Sequence, residues 1–298
     1  MALNNPAFNN PAFQDPRAVQ TYPGGQQAGR IGGGTTSRAT TDLAANAQLE
    51  GAFAAPPAGA IETGRMTVED TVLKTVALFA VLLVTAAVGW FWTMLPVTAT
   101  NPNPTIVPWI VGALGGFVLA MVVIFTSRKK IRPALIFAYA AFEGLFVGGI
   151  SAFFEFMWPG IVVQATLATL VVVGVTLALF ASGKIRASKR ATKIFMIAMI
   201  GYLVFSLVNL VLMWTGVAPG AFGLRSQEIF GIPLGLIIGV LVVIMAAYSL
   251  VLDFDSIQQG VRNGAPRQYG WLGGFGIMVT VVWLYLEILR IIAIARSQ

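Results

Sequence analysis

The chain has 298 residues, of which 57% are hydrophobic and only 10% are charged, and its mean hydropathy is +0.79. A soluble domain carries about 25% charged residues, so this composition excludes an ordinary globular enzyme with a solvated surface. The sequence has no Cys and no His, which excludes disulfides, thiol catalysis and zinc sites of the Cys/His type. The formal charge of +7 does not indicate a nucleic-acid partner, because Lys and Arg in a membrane protein mark cytoplasmic loops. We therefore expect an integral membrane protein that is not an enzyme.

The N-terminal region, residues 1–66, is rich in Gly, Ala, Asn, Pro, Thr and Gln and has no helical or strand periodicity. We interpret it as a disordered cytoplasmic tail and residues 67–298 as the membrane domain. The tail lacks the apolar segment of a signal peptide. It begins with a tandem Asn-Asn-Pro-Ala-Phe repeat that ends at Phe8 and again at Phe13. The repeat is either low-complexity sequence or a docking motif for a membrane-protein partner, in which each Phe fills a groove.

Seven apolar runs follow the tail, each close to the roughly 20 residues that span a bilayer. Thr67 is predicted to cap the first helix, since Glu69 and Asp70 follow within one turn. Lys74, also near the start of this helix, can snorkel to the membrane surface and is assigned no role. The fold class is therefore all-α, a polytopic bundle of seven transmembrane helices. The predicted spans are 72–95, 106–126, 133–154, 161–181, 194–215, 230–257 and 271–295.

The loops predict the orientation of the bundle. The loops after spans 2, 4 and 6 contain 11 basic residues, whereas those after spans 1, 3 and 5 contain only Arg225. This asymmetry places the N-terminus in the cytoplasm and, with seven spans, the C-terminus outside. Small residues at four-residue spacing also predict close helix packing, through Gly231, Gly235 and Gly239 in span 6 and through Gly144 and Gly148 in span 3.

Ionisable residues inside the spans are costly and are candidates for function. Asp253 and Asp255 lie near the inner end of span 6, about 200° apart around the helix, so they cannot both face one point. Glu287 and Arg290 are three residues apart in span 7 and can form an internal ion pair. Glu143 lies in the middle of span 3 without a local basic partner, which fits a protonated, hydrogen-bonded carboxyl group.

Three segments resemble the Bax inhibitor/YccA/TMBIM superfamily. The segment 249–257, Ser-Leu-Val-Leu-Asp-Phe-Asp-Ser-Ile, is similar to the end of the family's sixth helix, and 284–289, Leu-Tyr-Leu-Glu-Ile-Leu, to its last helix. The segment 141–144, Ala-Phe-Glu-Gly, is similar to the third helix. The start at 64–67 and the Asp-Phe-Asp motif resemble an actinobacterial branch. The resemblance covers residues 67–298 and leaves the tail outside it.

The resemblance implies a seven-helix bundle with the last helix in the centre, and a pH-sensitive calcium leak. Asp255 would match the acidic residue of helix six and Glu287 that of helix seven, together forming a pH sensor and a site for calcium ions. Arg128 would be the latch at the end of helix two that holds this pair. The chain departs from the family by having Glu at 287 and a third carboxylate at Asp253.

A physical argument supports such a sensor. Two carboxylates at close range in a low dielectric cannot both ionise easily, so they would share a proton near neutral pH and repel each other when it is lost. Carboxylate oxygens are also the ligands that Ca²⁺ prefers. The helix lengths oppose the contact, because Glu287 lies 16 residues, about 24 Å, beyond Trp271 while Asp255 is near the inner end. Contact would require helix six to continue past Gly260 or helix seven to begin below the membrane surface.

The leading hypothesis is thus a carboxylate-gated cation leak, multi-pass in the cell membrane, with the lipid bilayer and calcium ions as partners and no cofactor. The alternative is a non-conducting stress-response regulator that binds a membrane protease or another partner through the tail. A proton-coupled transporter is a third possibility, which inverted repeats would favour.

Overall fold

The computed structural model describes residues 64–218, 220 and 222–297. Seven helices in this part of the chain are long and apolar enough to cross a membrane, which confirms the predicted seven-helix bundle. The tail repeat ending at Phe8 and Phe13 lies outside the described residues. The helices are α1 Val68–Met94, α2 Val107–Ser127, α3 Pro133–Met157, α4 Ile161–Ala181, α5 Lys189–Trp214, α6 Leu234–Arg262 and α7 Gly270–Arg296.

The last helix, α7, lies at the centre of the bundle. It packs against α1, α3, α4 and α6, and 16 of its 27 residues are buried. The expectation of a central last helix is therefore confirmed. The opposite extreme is α5, in which only Phe195 and Asn209 of 26 residues are buried. The contacts of α5 with the bundle include the aromatic pairs Phe195–Tyr248 and Tyr202–Trp283.

The connection between α5 and α6 lies on the side that the charge asymmetry predicts to be outside, called the outer side below, and it differs from the prediction. Span 6 was expected from residue 230, but the chain there forms a hairpin of β1 Glu228–Ile229 and β2 Ile232–Pro233 before α6 begins at Leu234. Phe230 (φ 54°) and Gly231 (φ 76°) form its turn, a conformation that a helix does not contain. Gly231 therefore does not lie in a helix, and the prediction that it packs against a neighbouring helix is wrong.

The remaining predicted glycines do lie at helix contacts. A Cβ added to Gly148 would come within 1.9 Å of the Ala86 carbonyl oxygen, and one at Gly144 within 2.3 Å of that of Leu82, so α3 packs directly on the α1 backbone. A Cβ at Gly235 would meet the Ile294 side chain, and one at Gly239 the Ile291 side chain. The small residues thus set close approach of α3 to α1 and of α6 to α7.

The folded part of the chain includes residues that the sequence placed in the tail. Met66 is 2% exposed, and its backbone N–H donates to the Ala265 carbonyl at 2.7 Å. The Arg267 N–H donates to the Gly64 carbonyl at 2.8 Å, so residues 64–66 run beside the α6–α7 connection. Residues 64–66, which the sequence analysis placed in the tail, thus contact the bundle. Thr67 does cap α1, since its Oγ1 accepts from the Asp70 N–H.

Candidate functional site

Glu287 is the centre of a buried polar cluster in the outer half of the bundle. Its side chain is 1% exposed and forms ion pairs with Arg290 at 2.8 Å and with Arg225 at 3.3 Å. The hydroxyl of Tyr202 donates to the same carboxylate at 2.8 Å. The local pairing of Glu287 with Arg290 that the sequence allowed is thus formed, and two further partners come from α5 and from the α5–α6 connection.

Arg225 reaches this site because the outer connection folds inward. It belongs to a 3-10 helix, Gly223–Ser226, whose Leu224 N–H donates to Asn209 Oδ1 at 2.7 Å. Its guanidinium also donates to Tyr202 at 3.1 Å and to Ser206 at 3.3 Å. Only 5% of the Arg225 side chain is exposed. We call Glu287, Arg225, Arg290, Tyr202 and Ser206 the outer cluster; it joins α5 and the outer connection to the central helix.

Asp253 is buried at the interface between α6 and α7, closer to the inner end. It is 0% exposed and accepts a hydrogen bond from Thr280 Oγ1 at 2.6 Å. Ser249, one turn earlier on α6, lies 3.4 Å from the same Thr280 oxygen. The Asp253 carboxyl group is therefore in direct contact with the central helix.

Asp255 occupies a different face of α6. Its side chain is only partly buried, and it accepts a hydrogen bond from Gln259 Nε2 at 2.7 Å on its own helix. Asp253 therefore contacts the central helix, whereas the hydrogen bond of Asp255 lies within α6.

The expected contact between Asp255 and Glu287 is wrong. Glu287 lies beside Gly239, where an added Cβ would be 3.8 Å from Oε1. Asp255 is 16 residues further along the same helix, about 24 Å away. The α6 helix does continue past Gly260, to Arg262, but antiparallel packing places the Asp255 end of α6 beside the start of α7. These two carboxylates therefore neither share a proton nor bind one metal ion together.

The structure does not bring the predicted latch, Arg128, to Glu287, whereas Glu143 lies in the kind of environment that was expected for it. Arg128 is exposed at the end of α2, and none of the ion pairs found between residues 64 and 297 includes it. The arginines that pair with Glu287 are instead Arg225 and Arg290. Glu143 is partly buried, hydrogen-bonded to Tyr139, and lies against Gly116 of α2. This environment agrees with a hydrogen-bonded structural carboxyl group.

A second cluster, at the inner end, was missed by the sequence analysis. Asp70 forms an ion pair with Lys74, one turn later on α1, and accepts two bonds from the Arg267 guanidinium, at 3.0 Å from Nε and 2.7 Å from Nη2. Lys74 also donates to the Arg267 carbonyl at 2.6 Å. We call Asp70, Lys74 and Arg267 the inner cluster. Lys74 is only 8% exposed, so it does not snorkel to the membrane surface but joins α1 to the α6–α7 connection.

One sequence signal pointed to the outer cluster. Arg225 is the single basic residue in the outer loops, against the charge asymmetry that governs the rest of the chain, and a basic residue at such a position has a specific partner. No comparable signal identified Thr280 or the pairing of Asp70 with Arg267, because those contacts join residues 27 and 197 positions apart. In the described ranges, no group of three or more acidic side chains is arranged to hold a metal ion.

The fold and these sites define a polytopic helical membrane protein with ionisable side chains buried around a central last helix. The family model described as Bax inhibitor 1 like matches residues 5–297. The chain therefore belongs to the Bax inhibitor 1 like family, and the match begins within the tail repeat, so the expectation that the tail lies outside the resemblance is wrong. This family is of a membrane channel type and is not known to be enzymatic. No curated protein and no solved structure matches the chain.

Proposed function

We propose that this protein is a pH-sensitive cation leak of the cell membrane that conducts calcium and is gated by a buried carboxyl group. The observation that carries the proposal is Asp253, fully buried at the contact between α6 and the central helix α7. Family membership supports a channel-type protein, and the position of Asp253 supports a proton-dependent gate within it.

The proposed gate depends on protonation, because the ionised and the protonated carboxyl groups need different hydrogen-bond partners. An ionised carboxylate inside a bundle is costly unless hydrogen bonds and charges compensate it, whereas a protonated one can donate as well as accept. The groups that face Asp253 in the hydrogen-bond network include Thr280 from α7 and Ser249 from α6. Loss of the proton changes which of these groups donate, so the α6–α7 contact rearranges.

The same oxygens suit the transported ion. Ca²⁺ prefers carboxylate and other hard oxygen ligands, and the Asp253 carboxyl group and the hydroxyl groups of Thr280 and Ser249 supply such oxygens within one helical turn of α6. In this proposal calcium passes along the α6–α7 interface, and Glu287 acts separately by holding the outer end of α7 to Arg225 and Arg290. The proton sensor is then a single carboxyl at the inner half rather than a pair.

The proposal is tested with purified protein in liposomes, by following calcium flux against pH. Asp253→Asn is expected to flatten the pH dependence, because the side chain keeps its shape but no longer titrates. Asp255→Asn is the matched control, two residues away on the same helix, and is expected to retain the wild-type profile. A wild-type profile in Asp253→Asn, with unchanged thermal stability in detergent, would contradict the proposed sensor. Absence of flux in the wild type across the pH range would contradict the leak itself.

A second candidate, a non-conducting stress-response regulator, has one observation in its favour. The family match begins at residue 5 and includes both Phe8 and Phe13 of the repeat, so this part of the tail is within the family's pattern. In that role Phe8 and Phe13 would anchor in a membrane-protein partner such as a membrane protease. Cross-linking in cells would test it: loss of a defined cross-linked partner in a Phe8→Ala, Phe13→Ala variant supports the regulator, whereas an identical pattern contradicts tail-mediated binding.

A further inference from the structure

A cavity of about 590 Å³ lies in the outer half of the bundle, between α1 and α4. Its floor is formed by α3 and α7, where Ser151 and Tyr285 share a hydrogen bond of 2.7 Å. The volume falls within the roughly 300–1,000 Å³ of sites that hold small molecules. No part of the proposed gate lines this cavity, since Asp253 and Thr280 lie elsewhere on α6 and α7.

The lining excludes a charged or strongly hydrated occupant. It contains no Asp, Glu, Lys or Arg, and its side chains are apolar apart from four hydroxyl groups and the indole of Trp90. Among the hydroxyls, Thr169 is already bonded to the Ala165 carbonyl at 2.7 Å. An ion or a chain of water molecules in this cavity would find few partners, whereas a hydrocarbon chain would match the walls.

The floor of the cavity offers one further hydrogen-bond donor. Ser151 and Tyr285 together carry two hydroxyl hydrogens, and the single bond between them uses one. Both residues are buried, at 4% and 9% exposure, so leaving the second hydroxyl hydrogen without an acceptor costs free energy. An ester carbonyl, which accepts but does not donate, supplies that acceptor without adding charge.

The cavity is continuous with the surface that faces the bilayer. Leu83 and Phe91 of α1 and Leu170 of α4 line it and are also 62–73% exposed on the outer face of the bundle. A hydrocarbon chain can therefore enter sideways from the bilayer without crossing water. This continuity identifies the occupant as a lipid of the membrane itself rather than a solute.

We propose that this cavity is a binding site for one acyl chain of a bilayer phospholipid, whose ester carbonyl accepts a hydrogen bond from the Ser151–Tyr285 pair. The chain packs between α1 and α4 and against the central helix. This inference is independent of the proposed leak, because it rests on the shape and chemistry of a cavity that the gate does not use.

The site is tested by photolabelling in liposomes that contain a phosphatidylcholine with a diazirine in one acyl chain, followed by peptide mass spectrometry. Labels are expected to concentrate on the cavity-facing residues of α1 and α4. Leu170→Trp, which places a bulky ring in the cavity, is expected to reduce this labelling severalfold. Leu167→Trp is the matched control, because Leu167 is 59% exposed one turn earlier on α4 and does not line the cavity. A second pair of variants is Val162→Trp, which changes a residue that lines the cavity, and its control Val163→Trp, which changes one that does not.

The hydroxyl pair is tested with an ether-linked analogue of the same lipid, which lacks the carbonyl. The wild type is expected to label more strongly with the ester lipid, and a Ser151→Ala, Tyr285→Phe variant is expected to lose this preference while still being labelled. Labelling spread evenly over all lipid-facing residues and equal in Leu170→Trp and Leu167→Trp would overturn the site. Equal labelling by ester and ether lipids in the wild type would overturn the role of the hydroxyl pair.

Discussion

Two buried clusters, one towards each end of the bundle, share a pattern in which one carboxylate lies between two cations, but their surroundings differ. At the outer end, Glu287 binds a neighbour on its own helix, Arg290, and an arginine from a distant connection, Arg225. At the inner end, Asp70 binds Lys74 on its own helix and Arg267 from a distant connection. Each carboxylate thus pairs with one cation on its own helix and one arginine from a connection, and the outer cluster adds the hydroxyl groups of Tyr202 and Ser206 from α5.

The difference between the clusters is the burial of the long-range arginine. Only 5% of the Arg225 side chain is exposed, against 49% of that of Arg267. A charge without its partner is costly where water cannot reach it and cheap where it can. The same arrangement is therefore a rigid tie at the outer end and a looser, solvent-screened one at the inner end.

The largest effect is expected from Glu287→Gln. This change leaves the buried Arg225 beside the like charge of Arg290, and breaking a buried ion pair costs about 3–5 kcal/mol. Unfolding in mixed detergent and SDS micelles measures the loss, with Glu228→Gln as control because Glu228 is exposed in the hairpin. Equal stability of the two variants would show that the outer cluster does not hold the bundle.

The next largest loss of stability is expected from Met66→Ala. Met66 is 2% exposed in the core below the inner cluster, and truncation of a buried Met costs about 2–5 kcal/mol. The same unfolding assay applies. A neutral result would place residues 64–66 outside the folded unit and support the domain boundary at residue 67.

Asp70→Asn is expected to cost less than either change, about 1–3 kcal/mol, because a carboxylate that accepts charged hydrogen bonds is replaced by a neutral amide. Solvent access to the half-exposed Arg267 side chain compensates part of the loss, and the buried Lys74 keeps its hydrogen bond to the Arg267 carbonyl. The comparison between the two ends predicts that Asp70→Asn is milder than Glu287→Gln. The reverse order would mean that exposure of the long-range arginine does not decide the strength of the tie.

Arg267→Gln is expected to have a small effect that depends on salt, since exposed ion pairs are screened over roughly 10 Å at 0.1 M ionic strength. Arg225→Gln is the matched change at the outer end and is expected to be large and insensitive to salt. Unfolding of both variants at low and high ionic strength makes the comparison. Salt-sensitive loss in Arg225→Gln would indicate that water reaches the outer cluster.

Deletion of residues 1–60 is expected to leave stability unchanged, because polar sequence of this composition buries no core. The shortened chain keeps Met66 and its contacts with the α6–α7 connection. Thermal unfolding in detergent is the measurement. A clear drop in melting temperature would show that the tail stabilises the bundle beyond the contacts of residues 64–66.

The sequence determined the parts of this protein that depend on local chemistry. Apolar runs of bilayer length fixed seven helices, and α4 was predicted from 161 to 181, as found. The Thr67 cap and the glycines that allow α3 to approach α1 follow from residues a few positions apart. In the hairpin before α6 the apolar pattern misled the prediction, because Ile229, Phe230 and Ile232 continue the hydrophobic run that the turn interrupts.

Only the tertiary structure decided which ionisable groups meet. Spacing around α6 showed that Asp253 and Asp255 face apart, but not which of them faces α7. The depth of each group depends on how antiparallel helices are aligned, and a shift of a few residues moves a side chain by one or two helical turns. Arg225 and Arg267 reach Glu287 and Asp70 because loops fold back onto helices. Those contacts depend on packing across the whole bundle, which no local pattern of residues encodes.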